Sequence, residues 1–493
     1  MLLTPFTFLV VLVALLLFLV AFLLVRTVAF ARPFEPVEPV GGLPVDAPVV
    51  AEHLSAAIRC ETHAAGPAGA PNRQGLLALH RLLEGLYPRA HATLKREVIN
   101  KYSLLYTWEG AQPGLPAVLF MAHQDVVPVE PASLLDWTYP PYSGQVAEGF
   151  VWGRGALDIK NQVIALFEAV EGLLKASYQP QRTVYLAFGH DEETLGGSGA
   201  EATAALLQER MVTLAALLDE GGTIVDGVLP GVKEPVAMIG TAEKGYLTLE
   251  LSVQGQPGHT ARPPAHTAIG VLAKALSRLE ANPMPAHVAA MRPLFKGVGG
   301  SAPFFTQMAF ANLWLFGGML KRRLEANPGT NAAIRTTAAV SMIHGGLREN
   351  ILPAEARALV NFRLLTGDSI TGICDHARRV IHDERVHLQV IENRAWEASQ
   401  SSPVDGAAYR CLESATRKVF GNLPAAPYLI AGATDARKYV ALCENVYRFS
   451  PVVTGQADLD RMHGTNERIA VVALEEMVKF YGELIPAWSE MQA

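Results

Sequence analysis

A chain of 493 residues, half of them hydrophobic and 18% charged, can bury a large core, and its length suggests two or three domains. The formal net charge of −6, without blocks of Lys or Arg, argues against nucleic acid as a partner. Four cysteines, at 60, 374, 411 and 443, form no CxxC pair, which excludes a zinc ribbon or a disulfide framework and leaves buried, inert thiols.

Residues 6–25, FTFLVVLVALLLFLVAFLLV, are uncharged and, apart from Thr7, apolar. About 20 such residues span a ~30 Å hydrocarbon core as a helix. A cleaved signal peptide is the rival, because AFA at 29–31 resembles a small-x-small cleavage site. The run exceeds the usual ~7–15 residue signal core and no basic residue precedes it, so 1–31 reads as a single-pass transmembrane anchor. Arg26 and Arg32 lean towards a cytoplasmic body, a vote diluted by Glu35 and Glu38. Five prolines in 32–50 make a semi-stiff spacer between anchor and body.

From about residue 115 short apolar runs alternate with helical patterns. AVLFMA (117–122), TVYLAF (183–188) and LAALL (214–218) read as strands, with helices at 161–175 and 199–210 between them. That order predicts an α/β domain with a mostly parallel sheet and flanking helices. GYLTLELSVQG (245–255) and ARALVNFRLL (356–365) instead alternate polar and apolar residues, as half-exposed antiparallel strands do. The catalytic α/β domain is therefore expected over 51–243 and 366–493, interrupted by a smaller α+β domain over 244–365. That insertion holds a long Pro/Gly/aromatic stretch at 283–330, and an amphipathic helix at 466–485 should pack on the sheet.

Each predicted strand of the first half ends in charge. AVLFMA runs into His123 and Asp125, TVYLAF into Asp191, Glu192 and Glu193, and LAALL into Asp219 and Glu220. In a parallel sheet those ends share one edge, where such folds bind ligands. Asp158, in WGRGALDIKNQ (152–162), comes just before a helix, where a capping role is the ordinary alternative. Converging carboxylates would raise one another's pKa values unless a cation balanced them. Carboxylate with imidazole suits zinc, with Co²⁺ or Mn²⁺ as substitutes, whereas calcium would not need the histidine. On an extended chain His123 and Asp125 face the same way, so Asp125 could fix the tautomer of His123. Of two adjacent glutamates only one need be a ligand, which leaves the other free as a general base.

With MAHQDVVPV, WGRGALDIKN, GHDEETLGGSGA, LLDEGG, GHTARPP, GATDARKY and RMHGTNERI in this order, residues 51–485 resemble the co-catalytic zinc metallopeptidases. That family includes aminoacylase, glutamate carboxypeptidase and succinyl-diaminopimelate desuccinylase. NLWLF (312–316) and NAAIRTT (331–337) point to its branch of carboxypeptidase S and N-fatty-acyl-amino-acid synthase/hydrolases. The resemblance implies two zinc ions held by His123, Asp158, Glu193, Asp219 and His463, with Asp158 bridging, Glu192 as general base and Asp125 orienting His123. It makes the inserted domain a lid, with His259 stabilising the oxyanion and Asn350 and Arg363 contacting substrate; Thr434, Asp435 and Arg437 would line the cleft. The residue after the bridging Asp is often acidic in relatives and is Ile159 here, at a peptide that is commonly cis in the family.

The implied reaction is hydrolysis of an amide to an amino acid, as a carboxypeptidase or as an N-acyl-amino-acid amidohydrolase that could also run as a synthase. The anchor and the apolar segment 301–320 suit an amphipathic, fatty-acyl substrate, although that segment could equally form lid core or a homodimer contact. Relatives that work in a vacuole or outside the cell favour a non-cytoplasmic body, periplasmic or extracellular. A receptor or scaffold without catalysis, on the same fold, is the alternative class.

Overall fold

The computed structural model describes residues 5–30, 36–39, 41–64, 71–229 and 232–492. Arg32, Glu35, Ala31 of the AFA tripeptide and part of the 32–50 spacer lie outside the described residues.

The three expected strands form the middle of an eight-stranded sheet. Ala117–His123 lies between Val184–Gly189 and Leu214–Val225, parallel to both. It is buried at every position, as a strand covered on both faces must be. Its side chains alternate between two cores: Val118, Phe120 and Ala122 face the helices Lys160–Lys175 and Val471–Glu490, while Leu119 and Met121 face Ala200–Glu209. Val446–Thr454 extends the sheet parallel to Leu214–Val225, and Ala425–Ile430 pairs parallel with Val236–Glu243 at the far edge. Ser103–Trp108 and Lys95–Ile99 close the other edge antiparallel.

The inserted domain is a four-stranded antiparallel sheet in the order Thr337–Gly345, Glu355–Leu364, Gly245–Gln254, Val386–Trp396. Helices Ala268–Ala281 and Ile370–Ile381 share its core. The inserted sheet therefore takes in a strand beyond the boundary expected at 365, ending at Trp396. Its last strand pairs irregularly, with a register shift between Val390 and Ala395, and its sequence shows little alternation to announce it.

The Pro/Gly/aromatic stretch is helical, with Arg292–Val298, Phe304–Ala311, Leu313–Glu325 and Pro328–Ile334. Leu294, Phe295 and Val298 pack on Val236, Met238 and Ala426, so this segment rests on the far edge of the large sheet. The helix Pro5–Phe30 is long and apolar enough to cross a membrane, and residues 5–22 are exposed throughout.

Candidate active site

The charged ends of the parallel strands meet in space. Asp158 sits between two histidines: its Oδ1 is 3.1 Å from His123 Nε2, and its Oδ2 is 2.9 Å from His463 Nε2. Glu220 Oε1 adds to the first group at 3.4 Å from His123 Nε2, and Glu193 Oε1 to the second at 3.3 Å from His463 Nε2. One carboxylate is thus shared by two sets of imidazole and carboxylate ligands. The capping alternative for Asp158 does not hold, because the N-cap of Lys160–Lys175 is Ile159, without a side-chain bond. The Asp158–Ile159 peptide is cis.

Glu220 takes the place the sequence suggested for Asp219. Asp219 Oδ2 accepts Ala436 N at 2.8 Å and its Oδ1 accepts Glu220 N at 2.9 Å, so that carboxylate is spent on backbone. The cause is a bulge. Arg448 pairs with Asp219, but the next pair along the ladder is Phe449 with Gly222, which leaves Glu220 and Gly221 as extra residues on their strand. A bulge re-aims side chains, and here it turns Glu220 towards His123. The glycines make it feasible: Gly221 has φ +130°, and a Cβ on Gly222 would lie 1.8 Å from the Met238 carbonyl oxygen. The two glycines of LLDEGG are the signal from which this geometry could have been read.

Asp125 meets His123 through both its backbone and its side chain. His123 Nδ1 bonds the backbone carbonyl of Asp125 at 2.8 Å, with the Asp125 carboxylate at 3.6 Å. That carboxylate also accepts the backbone N–H groups of Glu192 and Glu193.

His463 lies in a loop with φ 59°, a left-handed conformation uncommon for a non-glycine residue and often found at functional sites. Its loop is tied down four residues later. Glu467, fully buried, pairs with Arg154 at 2.6 Å and accepts the backbone N–H groups of Gly155, Leu157 and Asp158 through its other oxygen. Arg154 also donates to the Gly464 carbonyl at 2.9 Å. One ion pair therefore fixes the loops of Asp158 and His463 against each other.

The electrostatics call for a cation. Burial, then the Glu220 carboxylate, pushes Glu192 well above the usual carboxylate range. Burial raises Glu220 to about 7, and burial with the Asp219 charge raises Asp435. Burial would raise Asp158 too, but hydrogen bonds from His123 and His463 outweigh it and hold that group low. Bonds to Asp158 and Glu193 lift His463 to about 10. Glu193 Oε1 is buried with His463 Nε2 beside it at 3.3 Å, and Asp435 Oδ1 is buried without a hydrogen-bond partner. His123, Asp158 and Glu220 bring their ligand atoms within 4.8 Å of one another, as do Asp158, Glu193 and His463, and such imidazole and carboxylate donor sets fit divalent metal.

His259 and Asn350 stay apart from this cluster. Both are exposed on a two-stranded ribbon of the lid, where His259 pairs with Ile351 and Thr260 N donates to Asn350 O at 3.4 Å. Arg363 is half-buried and lies over Tyr246 at 4.6 Å; Tyr246 stacks on Trp396 at 4.7 Å, and Arg437 lies over Trp396 at 4.5 Å. Arg437 in turn donates to the Leu195 carbonyl at 2.7 Å, just beyond Glu193. This ladder joins the inserted domain to the loop that follows Glu193, and its Trp396 and Arg437 line a cleft of about 1150 Å³ that also takes in Lys244, Lys438 and Arg448.

Residues 119–487 match the model of peptidase family M20/M25/M40. The chain belongs to that family. An N-fatty-acyl-amino acid synthase/hydrolase of Xenopus tropicalis is 40% identical over 419 residues, 84% of this chain and 81% of that protein. Carboxypeptidase S of Saccharomyces cerevisiae is 32% identical over 450 residues, 83% and 77% of the two chains. An M20 family metallo-carboxypeptidase from Sulfolobus solfataricus superposes with a TM-score of 0.66 over 91% of this chain and 100% of its own, at 16% identity, a likeness of fold. As an M20 peptidase or amidohydrolase the chain hydrolyses amide bonds, and the scaffold alternative has no support.

Proposed function

We propose that this M20 hydrolase cleaves the amide between a fatty-acyl group and the α-nitrogen of an amino acid, and that it does so at two divalent metal sites, zinc first among the candidates. His123, Asp158 and Glu220 would hold one ion, and Asp158, Glu193 and His463 the other. The observation that carries this reading is the division of Asp158 between the two histidines. When bound, such ions supply Lewis acidity and make water acidic near neutral pH.

The chain's own groups do the rest. Glu192 lies beside the cluster with its pKa raised by burial, which suits a carboxylate that takes a proton from the attacking water and returns it to the leaving amine. Lys244, Arg437 and Lys438 along the cleft offer positive charge to the amino-acid carboxylate, and Trp396 offers an apolar wall. His259 belongs to this reading as a lid group that meets the substrate on closure, and Asn350 shares its ribbon.

The fatty-acyl preference draws on the relative from Xenopus tropicalis and on the apolar helix Pro5–Phe30, read as an uncleaved anchor with the body on the non-cytoplasmic side. Protease protection in sealed vesicles tests the side. Turnover of an N-oleoyl amino acid against a blocked dipeptide tests the substrate: the acyl amino acid should have the higher kcat/KM. Preference for the dipeptide would favour the carboxypeptidase reading, which the yeast relative supports. Glu192→Gln should keep its metal and lose about 10²–10⁴-fold in kcat. Near-normal turnover would remove Glu192 from its role.

A further inference from the structure

The helix Pro5–Phe30 is not a free tether. Leu23, Arg26, Thr27 and Phe30 recur at i, i+3, i+4 and i+7, and this stripe docks on the helical insertion of the lid. Thr27 is 1% exposed, and Asn312, 0% exposed, reaches its hydroxyl at 3.5 Å. Arg26 donates to the Ala311 carbonyl at 3.0 Å, and Phe22 meets Trp314 edge-on at 6.3 Å. Phe30 approaches Gly299 so closely that a Cβ there would lie 3.0 Å from its ring. The helix therefore completes the packing of the insertion.

This docking fixes where a bilayer would lie. The apolar run ends at Val25, so Arg26 and Phe22 mark the level of the headgroups, and Trp314 stands beside them. Around that point the insertion exposes Phe304, Phe305, Trp314, Leu315 and Met319, with Phe305 77% and Met319 61% exposed. Leu315, Met319 and Arg322 share one face of Leu313–Glu325, and Lys321, Arg322 and Arg323 crowd its end. Apolar and tryptophan side chains next to a basic cluster are the composition of helices that lie in a membrane interface. Exposed apolar patches of this kind mark contact surfaces, and the basic cluster beside this one favours a membrane.

We propose that the segment Phe304–Glu325 is a second membrane contact, seated on the phospholipid bilayer that holds the N-terminal helix, with its basic end on anionic headgroups. It rests on the anchor reading above. The seat holds the lid, and with it the substrate cleft, against the membrane surface.

The test uses the full chain reconstituted in vesicles of phosphatidylcholine and phosphatidylglycerol, with and without bromine on the acyl chains. Brominated lipid should quench the tryptophan emission of the wild-type chain, and Trp314→Phe should lose most of that quenching. Leu315→Glu combined with Met319→Glu should reduce it as well, while carbonate extraction still leaves the chain in the membrane. An intact N-terminal helix with equal quenching in wild type and Trp314→Phe overturns the seat and leaves the anchor standing. A mature chain found without that helix overturns both. A chain that pairs through Trp314 with a second copy, shielded from brominated lipid, likewise overturns the seat.

Discussion

The carboxylate of Asp125 accepts the backbone N–H of Glu192 at 3.2 Å through Oδ1, and its Oδ2 accepts that of Glu193 at the same distance. One side chain therefore supports both the proposed general base and a candidate ligand, while the backbone carbonyl of the same residue contacts the His123 ring. Asp125→Asn turns an NH₂ towards one of two backbone donors and leaves the His123 contact intact. The expected outcome is a fall of about 10–100-fold in kcat with metal content unchanged in excess zinc. Loss of metal with kcat preserved would return the carboxylate to the service of His123.

The bulge at Glu220–Gly221 separates two neighbouring carboxylates. Glu220→Gln should lower metal content and abolish most activity, because the ligand is gone. Asp219→Asn should keep its metal, since the Asp219 oxygens are engaged by Ala436 N, Glu220 N and the Thr434 side chain. It should lower stability by about 1–3 kcal/mol through an imperfectly paired buried amide. Metal analysis of both variants decides it, and metal lost from Asp219→Asn alone would reverse the assignment.

What the sequence disclosed follows from how local each signal was. A strand buried on both faces and ending in His123 advertises itself through seven residues, and the alternation of Gly245–Gln254 does so through ten. The convergence of strand ends followed from parallel topology, which needs no side-chain detail. Glu220 was hidden because the bulge at Glu220–Gly221 re-aims the side chains of its strand, and alternation alone does not announce a bulge. His463 arrives from more than 300 residues beyond His123, on a loop whose local pattern is only a turn; family resemblance found it. The helices of 288–334 were obscured by prolines and glycines, and they gain their order by packing on Val236, Met238 and the N-terminal helix.

Glu467 is expected to matter without touching substrate. Breaking a buried ion pair costs about 3–5 kcal/mol, and Glu467→Ala also strands three backbone N–H groups. Chemical denaturation should show at least that loss. Adding Arg154→Ala should recover part of it by removing the unpaired charge; complete recovery would mean that the three backbone contacts contribute nothing.

Lys160 provides a pH signature. Burial lowers its pKa from 10.5 to about 8, although its Nζ donates to the carbonyls of Ala57 and Cys60. Between those two values the unfolded chain holds a proton that the folded chain has shed, so this group adds stability as pH rises from 8 towards 10.5. The full span is worth about 3 kcal/mol. Denaturation at pH 7.5 and pH 10 should show the wild type gaining on Lys160→Met; a constant difference between the two would mean that Lys160 keeps its proton throughout.

Asp158, reached by His123 on one side and His463 on the other, is proposed to be shared by two metal ions. Anomalous difference maps at the zinc edge, from crystals of the zinc-loaded chain, test it most directly. Two peaks are predicted, one among His123, Asp158 and Glu220 and the other among Asp158, Glu193 and His463. A map with no peak beside Asp158, or with zinc held elsewhere, would contradict it.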